Sequence, residues 1–105
     1  MRFHCHNITF LITYAAVFTT VIVDFHALWC GPCKVQSPIL KEVAAELGEK
    51  VRVIKIDVDQ NNALASQYQV QSVPTLIVFK NGKPVWRQSG VFTKAALLGV
   101  LKQNQ

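Results

Sequence analysis

The chain has 105 residues, half of them hydrophobic and 16% charged, which suits one domain with a packed core and excludes intrinsic disorder. Lys plus Arg is 11 and Asp plus Glu is 6, for a net charge of +5, and the whole excess falls after Asp59, where Lys80, Lys83, Arg87, Lys94 and Lys102 are accompanied by no acidic residue. These charges are scattered and lack interleaved aromatics, so a solvated face that steers acidic partners is expected and no nucleic-acid partner.

From Phe3 to Val23 the chain carries no Asp, Glu, Lys or Arg. Such a stretch suits an export signal or membrane anchor, but the run free of His and Asn begins only at Ile8, and no small-x-small cleavage site precedes Val21. The expected reading is an edge strand near Asn7–Leu11 and a poorly patterned helix near Ile12–Thr19, within a single domain over residues 1–105 whose first 20 residues are atypical. Val21–Phe25 reads as a strand buried on both faces around one carboxylate, Asp24. A helix follows Cys33, with Val35, Ile39 and Val43 as its apolar stripe, Leu40, Ala44 and Leu47 beside it, Pro38 as a kink and Gly48 as its end.

Val51–Val58 is β-branched and apolar around Lys55, again a buried strand, and Asn61–Tyr68 makes a short helix. Thr75–Phe79 is a strand that Asn81-Gly82 turns into a hairpin with Pro84–Ser89. Gly90 breaks the chain before Thr93 caps a last helix carrying Ala96, Leu97, Val100 and Leu101. With no repeat or linker, this order predicts an α/β sandwich, partly parallel, with an antiparallel hairpin at one edge.

Three cysteines cannot build a disulfide scaffold, but two of them stand as Cys30-Gly31-Pro32-Cys33 between a buried strand and an amphipathic helix. Pro32 suits a first helical turn, which puts Cys30 at the helix N-terminus, where unpaired N–H groups favour a thiolate. Cys33 at i+3 shares its face and lies within bridging reach, as a resolving thiol must. Trp29 offers a flat apolar wall to a docking peptide. The alternative, half of a metal site, would have to recruit from Cys5, His4, His6 and His26, and no second Cys-x-x-Cys exists, so no metal is expected.

The stretch Val23-Asp24-Phe25-His26-Ala27-Leu28-Trp29-Cys30-Gly31-Pro32-Cys33-Lys34 resembles the active-site segment of the thioredoxin family. Pro38, Lys55 with Asp57-Val58-Asp59, Ser72-Val73-Pro74-Thr75, Phe79-Lys80-Asn81-Gly82 and Gly90 extend the likeness from Val21 to the C-terminus in order and spacing. The resemblance implies a thioredoxin fold, a three-layer α/β/α sandwich with a central mixed sheet flanked by helices. It also implies a general protein-disulfide reductase, cytoplasmic and without a cofactor beyond its own Cys30–Cys33 pair. Its partners would be disulfide-containing targets and a thioredoxin reductase as electron donor. Cys30 would attack the target disulfide and Cys33 resolve the mixed disulfide.

By the same resemblance, Asp24 is the buried carboxyl behind the site that would take the Cys33 proton; the alternative is a structural buried acid paired with Lys55, and in this family both can hold together. Trp29, Gly31, Pro32, Val73, Pro74 and Gly90 would line the substrate groove. Pro74 would be the cis-proline, the Val73 backbone would pair with an extended substrate, and bare Gly90 would let it approach. Gly-Pro between the cysteines resembles the reducing members of the superfamily. Three places depart from the pattern: His26 stands where many members carry Trp, Leu28 where a polar or acidic residue is frequent, and the N-terminal region, free of acidic residues, where members usually have a polar, capped first helix. Half-buried packing is the expected role of His26, and a proton-exchanging group beside the dithiol the alternative. Cys5 is expected to be a free thiol. The rival readings are a dedicated exported or membrane-anchored oxidoreductase and a non-catalytic binding module on the same fold.

Overall fold

The β-branched run after the uncharged stretch forms strand β1, Thr20–His26, buried from end to end apart from a half-exposed His26. It opens the part of the chain, residues 20–104, that the computed structural model describes. The expected strand near Asn7–Leu11, the helix near Ile12–Thr19, and His4, Cys5 and His6 lie outside the described residues. After β1 come helix α1 (Gly31–Leu47), a 3-10 turn (Gly48–Lys50), strand β2 (Val51–Asp57), helix α2 (Asn62–Gln67), strands β3 (Thr75–Lys80) and β4 (Lys83–Ser89), and helix α3 (Lys94–Gln103).

The strands form one mixed sheet in the order β2-β1-β3-β4. Strand β1 runs parallel to β2, with Asp24 opposite Lys55, and antiparallel to β3, with Asp24 opposite Leu76. Because side chains alternate across a strand, β1 serves two cores. Val21, Val23 and Phe25 pack with Ile77 and Phe79 against Leu64 and Ala65 of α2. Ile22 packs with Leu76 and Val78 against Leu40 and Val43 of α1 and Leu97 and Leu101 of α3. The result is the expected α/β/α sandwich with a central mixed sheet.

Local signals act where their residues stand. Asn81 (φ 55°) and Gly82 (φ 77°) both take positive φ in the two-residue β3–β4 turn, the handedness that matches strand twist. The Thr93 hydroxyl caps α3 by accepting from the Ala96 N–H at 3.2 Å. Arg87 of β4 donates to the carbonyls of Tyr68 and Gln69, satisfying groups at the end of α2.

Two expectations are corrected. Strand β2 is not buried throughout: Val51 and Ile56 are buried while Arg52 and Lys55 are exposed, because among the described residues it is an edge strand. The buried stripe of α1 is Cys33, Gln36, Leu40 and Val43, and Val35 is 55% exposed. Val43 of the expected stripe and Leu40 beside it do face the core, and in the turn before them Gln36 takes the place of Val35. The helix runs on through Pro38 without interruption.

Candidate functional site

Cys30 has extended backbone angles and sits at the N-cap of α1, with Gly31 and Pro32 exposed in the first turn and Cys33 on the inward face. The two cysteines are joined in a disulfide with Cα atoms 5.3 Å apart, well inside bridging distance. The Cys33 N–H donates to Cys30 Sγ at 3.1 Å, so one unpaired amide of the helix N-terminus is turned on the first sulfur. Both residues are buried, at 3% and 5% exposure, in a small cluster with Ala27, and Val58 and Val73 pack against it.

Two loops complete the surroundings. The Val73–Pro74 bond is cis, Val73 is half-buried against the cysteines, and Pro74 is buried. The Gly90 N–H donates to the Pro74 carbonyl at 2.8 Å, bringing the end of β4 beside the proline loop. Gly90 has φ +89°, and a Cβ there meets nothing within 4 Å. Gly90→Ala is therefore expected to cost about 1–2 kcal/mol through backbone strain alone. Urea unfolding of the variant against the parent checks this, and an unchanged midpoint would contradict it.

Trp29 and Leu28 stand out from this surface, 70% and 71% exposed. The Trp29 indole is held in place, for its Nε1–H donates to Asp59 Oδ2 at 2.8 Å. Asp57 in turn organises that loop by accepting from the Asp59 N–H at 2.8 Å. The positioning role of Asp59 was not read from sequence, although an Asp-x-Asp after a strand marks a turn that aims a carboxylate.

Asp24 is fully buried, and among the described residues neither carboxylate oxygen has a hydrogen-bond partner. Desolvation pushes its carboxyl above the ordinary range, while the nearby charges of Lys55 and His26 pull weakly the other way. The expected Asp24–Lys55 pairing is corrected here. Lys55 lies opposite Asp24 in register, yet its ammonium donates to Ser37 Oγ at 2.6 Å, and no ion pair joins the two among the described residues. As an exposed edge-strand residue, Lys55 reaches α1 more cheaply than it enters the core. Lys55, Ser37, His26 and Cys33 share the lining of a cavity of about 350 Å³. No group of three or more His, Cys, Asp or Glu suited to a metal occurs among the described residues, nor any helix long and apolar enough to cross a membrane.

A family model described as Thioredoxin matches residues 6–103. A thioredoxin of Mycolicibacterium smegmatis is 56% identical over 80 residues, which is 74% of this chain and 71% of that protein. A thioredoxin of Staphylococcus aureus is 48% identical over 83 residues, 79% of this chain and 80% of the relative. Among solved structures, a chloroplastic thioredoxin z superposes with a TM-score of 0.84 at 36% identity, covering 93% of this chain and 87% of that one.

Proposed function

From the premise that this chain belongs to the thioredoxin family and is a thiol-disulfide oxidoreductase, a thioredoxin-type disulfide reductase, we propose the following division of labour among its residues. In the reduced protein the Cys30 thiolate attacks one sulfur of a target disulfide. A bond forms between Cys30 Sγ and that sulfur, and the other target sulfur leaves as a thiolate that takes a proton from solvent. Cys33 then loses its proton and attacks Cys30 Sγ; the bond between Cys30 Sγ and the target sulfur breaks, the Cys30–Cys33 disulfide forms, and the second target sulfur leaves as a thiolate that takes a proton from solvent. Two electrons have passed from the pair to the target. Asp24 receives the Cys33 proton, a role suited to a buried carboxyl whose proton affinity is raised.

The observation that carries this assignment is the amide of Cys33 donating to Cys30 Sγ at the helix N-terminus. That donor and the helix dipole stabilise negative charge on Cys30 more than on Cys33, which is inside the helix. Trp29, Gly31, Pro32, Val73, Pro74 and Gly90 form the groove, in which the Val73 backbone pairs with an extended target segment. Lys55 acts on the site through charge and through its bond to Ser37. The electrons reside on the cysteine pair, so no resident cofactor is invoked. A thioredoxin reductase restores the dithiol, and a cytoplasmic setting keeps it reduced. Residues 1–105 act as one domain.

Equilibrating the protein against a dithiothreitol series measures the Cys30–Cys33 potential. A value near about −270 mV is expected for a reducing dithiol, and one near about −120 mV would overturn the reductase assignment in favour of an oxidase. Fractionation of cells tests the compartment separately, since the uncharged Phe3–Val23 stretch is the feature that would favour export.

A further inference from the structure

The groove draws on three parts of the chain, and the last of them, residues 90–93, belongs to neither a helix nor a strand. Backbone without a ladder must find its partners elsewhere. Gly90 finds one in the Pro74 carbonyl. Phe92 finds both of its partners on one side chain: its N–H donates to Gln36 Oε1 at 2.7 Å, and its carbonyl accepts from Gln36 Nε2 at 3.1 Å. Gln36 is fully buried on the inward face of α1, one turn beyond Cys33. A carboxamide presents a donor and an acceptor side by side, as a neighbouring strand does, and an apolar residue of the same size would leave both Phe92 groups unpaired.

We infer that Gln36 is a positioning residue for substrate recognition. Its carboxamide holds the 90–93 segment, and with it the 42% exposed Val91, against the helix that carries Cys33. The linkage closes on itself. Cys33 leads along α1 to Gln36, Gln36 binds Phe92, Gly90 binds Pro74, and Val73 packs back on the cysteines. On its far side the Phe92 ring rests on Trp86 with centroids 5.0 Å apart, so the segment is held from two directions. A target therefore meets a groove already in shape, and ordering it is not charged against binding. Gln36 itself touches neither sulfur nor substrate. This inference rests on the reading of the groove given above.

The test compares reduction of insulin, which must occupy the groove, with reduction of the small aromatic disulfide dithiobis(nitrobenzoate), which need not. Gln36→Met keeps length and volume, and is expected to raise KM for insulin about tenfold with kcat preserved. Reduction of the small disulfide and the Cys30–Cys33 equilibrium with dithiothreitol should stay at the parent's level. Gln36→Glu, which keeps an acceptor for the Phe92 N–H, should fall between the two and supplies the comparison if Gln36→Met does not fold. An unchanged KM for insulin, or equal losses on both substrates, overturns the positioning role. In the parent protein the Phe92 amide should exchange with deuterium far more slowly than an open loop amide, and free exchange overturns it without any variant. A parent that reduces neither substrate would instead fail the reductase reading itself.

Discussion

Cys33→Ser is expected to stop the reaction halfway, leaving the protein joined to its target through Cys30. The variant keeps the helix N-terminus, with the residue-33 amide directed at Cys30 Sγ, so the attacking thiolate is still favoured. What it lacks is the second thiol, 5.3 Å away by Cα, that would displace the target. Cys30→Ser should give no adduct, because Cys33 lies inside the helix and the first-turn amide that favours a thiolate is turned on the side chain of residue 30 instead. Turnover on a protein disulfide should fall at least about a thousandfold in both variants. Mass spectrometry of the unreduced mixture separates them, and an adduct formed by Cys30→Ser through Cys33 would reverse the assigned roles.

Asp24→Ala is expected to make the protein more stable and a slower reductase. Above neutrality the parent must either bury a carboxylate that has no hydrogen-bond partner among the described residues or hold a proton against the solution, and the substitution removes about 1–3 kcal/mol of that penalty. The pH dependence fixes the sign. Burial raises the folded carboxyl above its ordinary value of 3.8, so between the unfolded and folded values the native state binds more protons than the unfolded one. Parental stability therefore falls as pH rises from about 3.8 through the folded value, and is level above it. Asp24→Ala should lack this fall, so urea unfolding curves of the two proteins converge toward low pH and separate toward high pH. Parallel curves would mean that Asp24 takes up no extra proton in the native state. Stopped-flow release of the second target thiol reads the catalytic role, and an unchanged rate would leave Asp24 a structural acid only.

Much of the frame was legible because its causes are local. The Cys-Gly-Pro-Cys run announces a helix start, a proline in the first turn and two sulfurs on one face, all within four residues. Asn81-Gly82 specifies the chirality of its turn, and the Thr93 hydroxyl satisfies an amide three residues on. Even the depth of β1 shows in its apolar run, with Asp24 as the exception that marks the site.

The residues misread or missed share another trait. Val35 joined the apolar stripe by spacing, yet the sheet is met by Cys33 and Gln36, a polar residue whose burial makes sense only with Phe92, 56 positions away. Asp59 gains its role from Trp29, 30 positions earlier, and Lys55 loses its expected partner to Ser37, 18 positions earlier. The element order from β1 onward, the redox pair and the buried carboxyl are legible in the residues alone, since each is encoded by period, capping or composition over a few residues. Which side chains satisfy the buried and half-buried polar groups around that pair depends on the packing of distant elements. Hydrogen bonds need partners within about 3 Å, and which distant residues come that close is settled by how the helices lie on the sheet.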